Sequence, residues 1–269
     1  LRLDDGEIVW NDVRTPLTAK GGKFEFAMNY AIDAGQPVYL GQTSWLQCEI
    51  AALKFLPFTS DVSARFALRA DSFALTQLQW KTLHSEVDAQ ATVASLSRPT
   101  WDFKYRAQVR LDDLWSILRQ KEAPSGRVEF AGDGRYDGKQ WSAGGRYTAD
   151  PVTLKYVWFH PGNLSAHGSY RADPQGLDLP DFDALILGGS VDGHVRMSIP
   201  KLEFTAETKV HGLQLRQALA AVDNPGLPII PLHWGSSMEV DATTTWVANF
   251  KHLDSRGLSV WTPPDSPAP

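Results

Sequence analysis

His233-Trp234-Gly235-Ser236-Ser237 brings an imidazole close to two hydroxyls, the residue types that nucleophilic acyl transfer uses. That chemistry needs its serine on a sharp strand-to-helix turn, and no Gly-x-Ser-x-Gly elbow surrounds these serines. A turn entering a strand accounts for the same residues. Gly188-Gly189-Ser190-Val191-Asp192 lacks the elbow's last glycine, and Gly132-Asp133-Gly134-Arg135-Tyr136-Asp137 misses a dinucleotide fingerprint, with no helix expected after it. Both read as hairpin turns. Asp173, Asp178, Asp181 and Asp183 gather around Pro174, Gly176 and Pro180 and offer oxygen ligands, but their spacing fits no calcium loop of EF-hand type and reads as a solvated turn. The seven histidines include none at the i, i+4 helical spacing that a protease-type zinc site requires. Paired carboxylates for glycoside hydrolysis depend on a separation that only the fold sets. The residues therefore predict a chain that is not an enzyme, with no catalytic residues, no metal and no cofactor.

What such a chain does rests on the elements that carry its side chains. The 269 residues, 43% hydrophobic, are enough to bury a sizeable core and show no disorder-like bias. The formal charge of −5 comes from interspersed acids and bases without a Lys/Arg run, which disfavours nucleic acid as a partner. Cys48 is alone, so no intrachain disulfide forms, and its neighbours Leu46 and Ile50 predict a buried or wall-lining thiol.

Period-two alternation dominates the chain and predicts strands with one apolar face. Phe24, Phe26, Met28, Tyr30 and Ile32 follow a Gly21-Gly22 turn. Leu46, Cys48, Ile50 and Ala52 form a second series, Phe66, Leu68 and Ala70 a third, Phe73 and Leu75 a fourth, and Val87, Ala89, Ala91 and Val93 a fifth. Val152, Leu154, Tyr156 and Trp158 alternate later, and Met238 to Phe250 forms one long run. One module occurs twice. Pro99 leads into Trp101, Phe103, Tyr105, Ala107, Val109 and Leu111, then Leu114 and Leu118 at helical spacing; Pro200 leads into Leu202, Phe204, Ala206, Thr208 and Val210, then Leu215 and Leu219. The offset is 101 throughout (204−103, 210−109, 215−114), and the approximate repeats correspond over 85–123 and 189–222. The predicted helices are far too short to cover every apolar face. Either two sheets cover each other as a β-sandwich, or one curled sheet keeps its apolar concave face open for an apolar ligand.

Trp80, Trp101, Trp158 and Trp246 fall in register with the apolar series, which predicts burial or groove lining; Trp10, Trp45, Trp141 and Trp261 fit no clear series. Exposed indoles stack on sugars, so the alternative function is a β-sandwich carbohydrate-binding or adhesion module. The chain starts at Leu1 inside a strand and closes on the proline-rich stretch 263–269, which reads as a linker of a longer protein.

Gly6-Glu7-Ile8-Val9-Trp10-Asn11-Asp12, then Pro16-Leu17 and the strand from Phe24 to Tyr30, resembles the "glycine, strand, turn, proline-leucine, strand" pattern of the AsmA-like/TamB family. Phe66 to Leu75, then Leu78, Ser85, Val87, Pro99 and the Val109 to Leu118 passage, is similar to that family's repeating unit, as is Leu187-Gly188-Gly189-Ser190-Val191-Asp192-Gly193. The resemblance covers nearly all of 1–262. It implies an all-β, elongated sheet curled into a half-pipe with an apolar groove, in a periplasmic protein anchored in the bacterial inner membrane outside this fragment. It implies transport of phospholipid or another apolar chain, with an outer-membrane β-barrel assembly partner. The residues expected to line that groove are Phe24, Phe26, Trp101, Phe103, Tyr105, Val109, Leu202, Phe204, Met238, Val240, Trp246 and Phe250. Each methylene shielded there contributes about 0.8 kcal/mol.

Overall fold

A computed structural model describes residues 1–12, 17–52, 56–117, 124–153, 160–201, 203–222, 236–247 and 254–262. Its strands are β1 (Arg2–Asp12), β2 (Leu17–Asp33), β3 (Gln36–Ala52), β4 (Phe58–Leu68), β5 (Phe73–Thr82), β6 (Ser85–Val93), β7 (Trp101–Arg110), β8 (Ser125–Tyr136), β9 (Trp141–Thr153), β10 (Leu164–Ala172), β11 (Gly176–Ile186), β12 (Gly189–Ser198), β13 (Glu203–Gln214), β14 (Ser237–Val247) and β15 (Asp254–Thr262). Two short helices, α1 (Leu111–Ile117) and α2 (Leu215–Ala220), follow β7 and β13. All fifteen strands belong to one antiparallel sheet in strict chain order, which is not closed into a barrel. The described strands thus form one sheet, without the second sheet that a sandwich needs. Contacts divide the chain into one unit of 1–121 with 129–143 and another of 122–128 with 144–269.

Alternation produces these strands, and register aligns them. In the first unit Phe24 pairs with Trp45, Met28 with Gly41 and Tyr30 with Tyr39. Gly41 pairs with Phe66, Phe66 with Leu75, Leu75 with Ala91 and Ala91 with Phe103. Directly paired residues share a face, so the separate sequence series become one apolar face. The strand-to-helix passage also occurs twice with the same tertiary role. Asp113 of α1 accepts the His84 N–H at 2.8 Å and the Ser85 hydroxyl at 2.8 Å, tying the helix to the β5–β6 turn. At α2, the Gln214 N–H reaches the Leu187 carbonyl, and the Gln214 and Gln217 side chains crowd Gly188 in the β11–β12 turn. In both cases a helix folds back over the hairpin turn that precedes the strand next to its own.

Several expected turns are strand instead. Gly21 and Gly22 lie inside β2, where Lys23 takes a positive φ of 56° and the register to β1 shifts. That is a bulge, which keeps the strand running where a turn would end it. Gly132 to Tyr136 belongs to β8, the turn falling at 137–140. Gly189 to Asp192 opens β12 after a turn at Leu187-Gly188, and of the aspartates only Asp173 sits at a turn, the others lying in β11. Leu111 begins α1 and does not extend β7. β15 has no expectation behind it: Leu258 and Val260 pair with Asp241 and Glu239 on the polar face of β14, an inverted pattern.

Candidate functional site: an uncovered apolar face

Cross-strand rows of the first unit show what the apolar face presents. The row nearest α1 contains Cys48, Ser60, Thr82 and Ser85 in register. The next holds Phe24, Trp45, Val62, Trp80, Val87 and Ala107, followed by Phe26, Thr43, Ala64, Leu78, Ala89 and Tyr105. Beyond these come Met28, Gly41, Phe66, Leu75, Ala91 and Phe103, and then Tyr30, Tyr39, Leu68, Phe73, Val93 and Trp101. From Ser60 to Leu68 the face runs about 27 Å along the strand.

Rings knit the rows together. Phe26 meets Phe66 at 6.1 Å between centroids, Phe66 meets Phe73 at 5.7 Å, and Phe73 meets Trp101 at 6.3 Å. The step from β2 to β4 crosses β3 at Gly41, where a Cβ would stand 2.1 Å from the Phe66 ring. Gly134 of β8 lies beneath Phe103 in the same way, at 2.4 Å. Both glycines are there so that a ring can lie flat on the backbone, which the sequence read as turn chemistry at Gly134 and left unremarked at Gly41.

In the second unit Phe204 stacks on Trp246 at 5.1 Å with planes 5° apart. Val210 pairs with Val240, and Leu213 with Met238 beyond a bulge at Gly212. Met197, Val195 and Val191 of β12 continue the face, and Leu177, Leu179 and Ala184 of β11 extend it. The structure thus brings Phe24, Phe26, Trp101, Phe103, Tyr105 and Val109 onto one face of the first unit, and Phe204, Met238, Val240 and Trp246 onto one face of the second. Leu202 and Phe250 lie outside the described residues, as do His233, Trp158 and 263–269.

Burial shows the state of this face. In the first unit no described Phe, Tyr, Trp, Met or Ile is buried, and the buried apolar residues there are chiefly small ones such as Ala19, Cys48, Ala91 and Val93; in the second unit Tyr147 and Tyr170 are buried. A sealed core would hide its largest rings most completely. Here the rings shield the alanines and valines beside them while staying half-buried themselves, and Trp101 is 36% exposed. Cys48 is 1% exposed, as expected from its neighbours, and burial pushes its thiol pKa up.

Trp45 needs a correction: it stands on this face beside Phe24, with 6.2 Å between rings. The bulge at Gln47, φ 56°, resets the alternation so that Trp45 and Cys48 share a side and Leu46 turns outward, 45% exposed. Phe66 and Phe73 also belong to the face and were absent from the expected lining, though their alternating series carried the signal, and Trp80 stands on it as its register predicts.

The opposite face is polar. A concavity of about 650 Å³ in the first unit is lined mainly by residues such as Asp4, Glu25, Gln42, Ser63, Arg65 and Gln77. In the second unit His211 donates or accepts through Nδ1 to Glu239 at 2.8 Å and through Nε2 to Asp192 at 3.1 Å, while the Gly212 N–H donates to Glu239 at 2.8 Å. The Glu239 hydrogen bond raises the His211 pKa, and the Gly212 N–H, then His211, lowers that of Glu239. With both ring nitrogens engaged by carboxylates, this histidine has no nitrogen free to activate a nucleophile. Among the described residues no group of three His, Cys, Asp or Glu side chains is placed to hold a metal ion.

Comparison adds no relative. The chain matches no family model, no curated protein and no solved structure.

Proposed function

We propose that the apolar face of each unit holds the acyl chains of a lipid, and that the chain is a non-catalytic, lipid-conducting segment of an envelope protein. The observation that carries this reading is the uncovered state of the face: rows of half-buried rings in register, with no second sheet among the described strands. A face about 27 Å long exceeds the roughly 15 Å of hydrocarbon in one bilayer leaflet. Half-covering a methylene recovers about 0.4 kcal/mol, so a dozen methylenes give affinity without any charged contact. The resemblance to AsmA-like proteins supports the rest of the proposal: a periplasmic location, an inner-membrane anchor outside this fragment, and an outer-membrane β-barrel assembly partner.

Photocrosslinking in bacterial cells tests it, with a photoreactive residue at position 103, 204 or 246 and a control at 104. Phe103, Phe204 and Trp246 stand on the apolar face and Lys104 on the polar one. Lipid adducts at the first three positions alone are expected. A folded protein with no adducts, or with equal adducts at 104, overturns the reading.

A further inference from the structure

Within the apolar face of the first unit are hydrogen-bond donors that the fold leaves unused. The indole N–H groups of Trp45 and Trp80 and the hydroxyl of Ser60 are withdrawn from solvent and have no partner among the described residues. Ser60 is 3% exposed. Its row neighbours differ: the Thr82 hydroxyl donates to the Thr59 carbonyl at 3.0 Å, and the Ser85 hydroxyl donates to Asp113 and accepts the Arg110 N–H at 2.9 Å. The three unpaired groups lie in adjoining rows, since Trp45 and Trp80 both pair with Val62, two residues from Ser60 on β4. The Trp45 Nε1 sits over Gly21, where a Cβ would stand 3.0 Å away, which carries that donor toward the Cys48–Ser60 row.

An indole nitrogen only donates, and leaving such a group unpaired in an apolar setting is costly. A band of donors therefore selects a ligand that brings acceptors. The band also sets their charge. Register puts no Lys or Arg in these two rows, while Lys20, Glu49, Asp61, Lys81 and Glu86 belong to the opposite face. The carboxylate of Asp113, 6% exposed, accepts the Ser85 hydroxyl at the end of the row. A buried phosphate or carboxylate would go uncompensated and face that anion, whereas a neutral carbonyl would not.

Resting on the acyl-chain reading above, we propose that on binding the Trp45 and Trp80 indoles rotate off the row they cover and, with Ser60, receive the ester carbonyls of a diacyl lipid, fixing where its chains begin on the face. The aromatic rows from Phe26 to Trp101 then take the chains, and the charged headgroup stays outside the band. The lipid class is ester-linked, and an ether-linked lipid with the same chains makes the apolar contacts but not the polar ones.

Calorimetric titration of the full chain compares a short-chain diacyl phosphatidylcholine with its dialkyl ether analogue, both below their micelle concentrations. A neutral hydrogen bond contributes about 2- to 10-fold in affinity, so the diacyl form is expected to bind several-fold tighter. Trp45→Phe, Trp80→Phe and Ser60→Ala are each expected to narrow that preference, lowering affinity for the diacyl lipid more than for the ether lipid, and continued binding of the ether lipid reports that the face is intact. Equal binding of the two lipids by the unaltered chain overturns the carbonyl assignment and leaves the acyl-chain reading standing. A preference that survives all three substitutions also overturns the assignment. Binding of neither lipid overturns both.

Discussion

Gly41→Ala tests whether the ring ladder exists as described. The added Cβ would stand 2.1 Å from Cζ of Phe66 and 2.4 and 2.7 Å from its Cε atoms, whereas carbon atoms prefer about 3.5–4.0 Å. The ring has little room to move sideways, because Phe26 and Phe73 flank it at 6.1 and 5.7 Å. It must lift off β3 by about 1.5 Å to restore that spacing. Overpacking of this kind costs about 1–3 kcal/mol, and each loosened ring pair forfeits about 0.5–1.5 kcal/mol. Against this, Gly41 has no positive φ, so alanine recovers about 0.5–1 kcal/mol of chain entropy. The net expectation is a loss of about 1–5 kcal/mol. In a Phe66→Leu background the obstructing ring is gone, and the same alanine should be neutral or stabilising. Hydrogen exchange at β3 and β4 amides reads the four corners of this cycle within the first unit. A coupling of about 2 kcal/mol is expected, and additivity within about 0.5 kcal/mol would show that Phe66 does not rest on Gly41.

Asp113→Ala leaves the His84 N–H and Ser85 hydroxyl without their acceptor, and should destabilise the first unit by about 2–4 kcal/mol; urea unfolding and faster exchange of the Leu56 N–H, which donates to Ile117 of α1, would show it. His211 should titrate above its ordinary 6.5, its stabilisation being complete below 6.5 and lost as pH rises through the raised value. Glu239 acts oppositely: its pKa is depressed below 4.5, so its contribution is present above 4.5 and lost as pH falls through the lowered value. An NMR titration of His211 in which Glu239→Gln leaves the midpoint unmoved would contradict that pairing. Tyr147 is buried, its hydroxyl has no partner among the described residues, and burial pushes its pKa up to about 12; Tyr147→Phe should hold or raise Tm, and a fall of several degrees would mean the hydroxyl is bonded.

Alternation was the legible part of this sequence. The series from Phe24, Val87, Trp101, Phe204 and Met238 all emerge as one face within their units, because a strand's side-chain period is fixed by its backbone. Parity breaks were not legible. Gln47 and Lys23 adopt positive φ inside long strands, and nothing in either residue type announces a bulge, so Trp45 seemed unplaced and Leu46 seemed apolar-facing. Glycine misled for a related reason. Read alone, Gly21-Gly22 and Gly132 to Asp137 are turn signals, yet Gly134 lies in a strand because Phe103 needs its missing side chain, a fact that resides in a neighbouring strand. The unpaired donors of Trp45, Trp80 and Ser60 were equally hidden, since satisfaction is a property of the assembled face.

On the lipid-binding reading proposed above, an open apolar face links stability to occupancy. Each half-buried ring among Phe26, Phe66, Phe73 and Phe103 forgoes part of the roughly 1.5–3 kcal/mol that full burial of such a side chain contributes. A ligand laid over the rings restores that part, and only to the folded chain, because the unfolded chain has no face to cover. Occupancy at a hundred times Kd therefore adds about 2.7 kcal/mol to the first unit, comparable with the loss expected from Gly41→Ala. The same rings set the fold's weakness and the ligand's affinity, so replacing them with larger packing partners to strengthen the empty sheet should weaken binding in proportion.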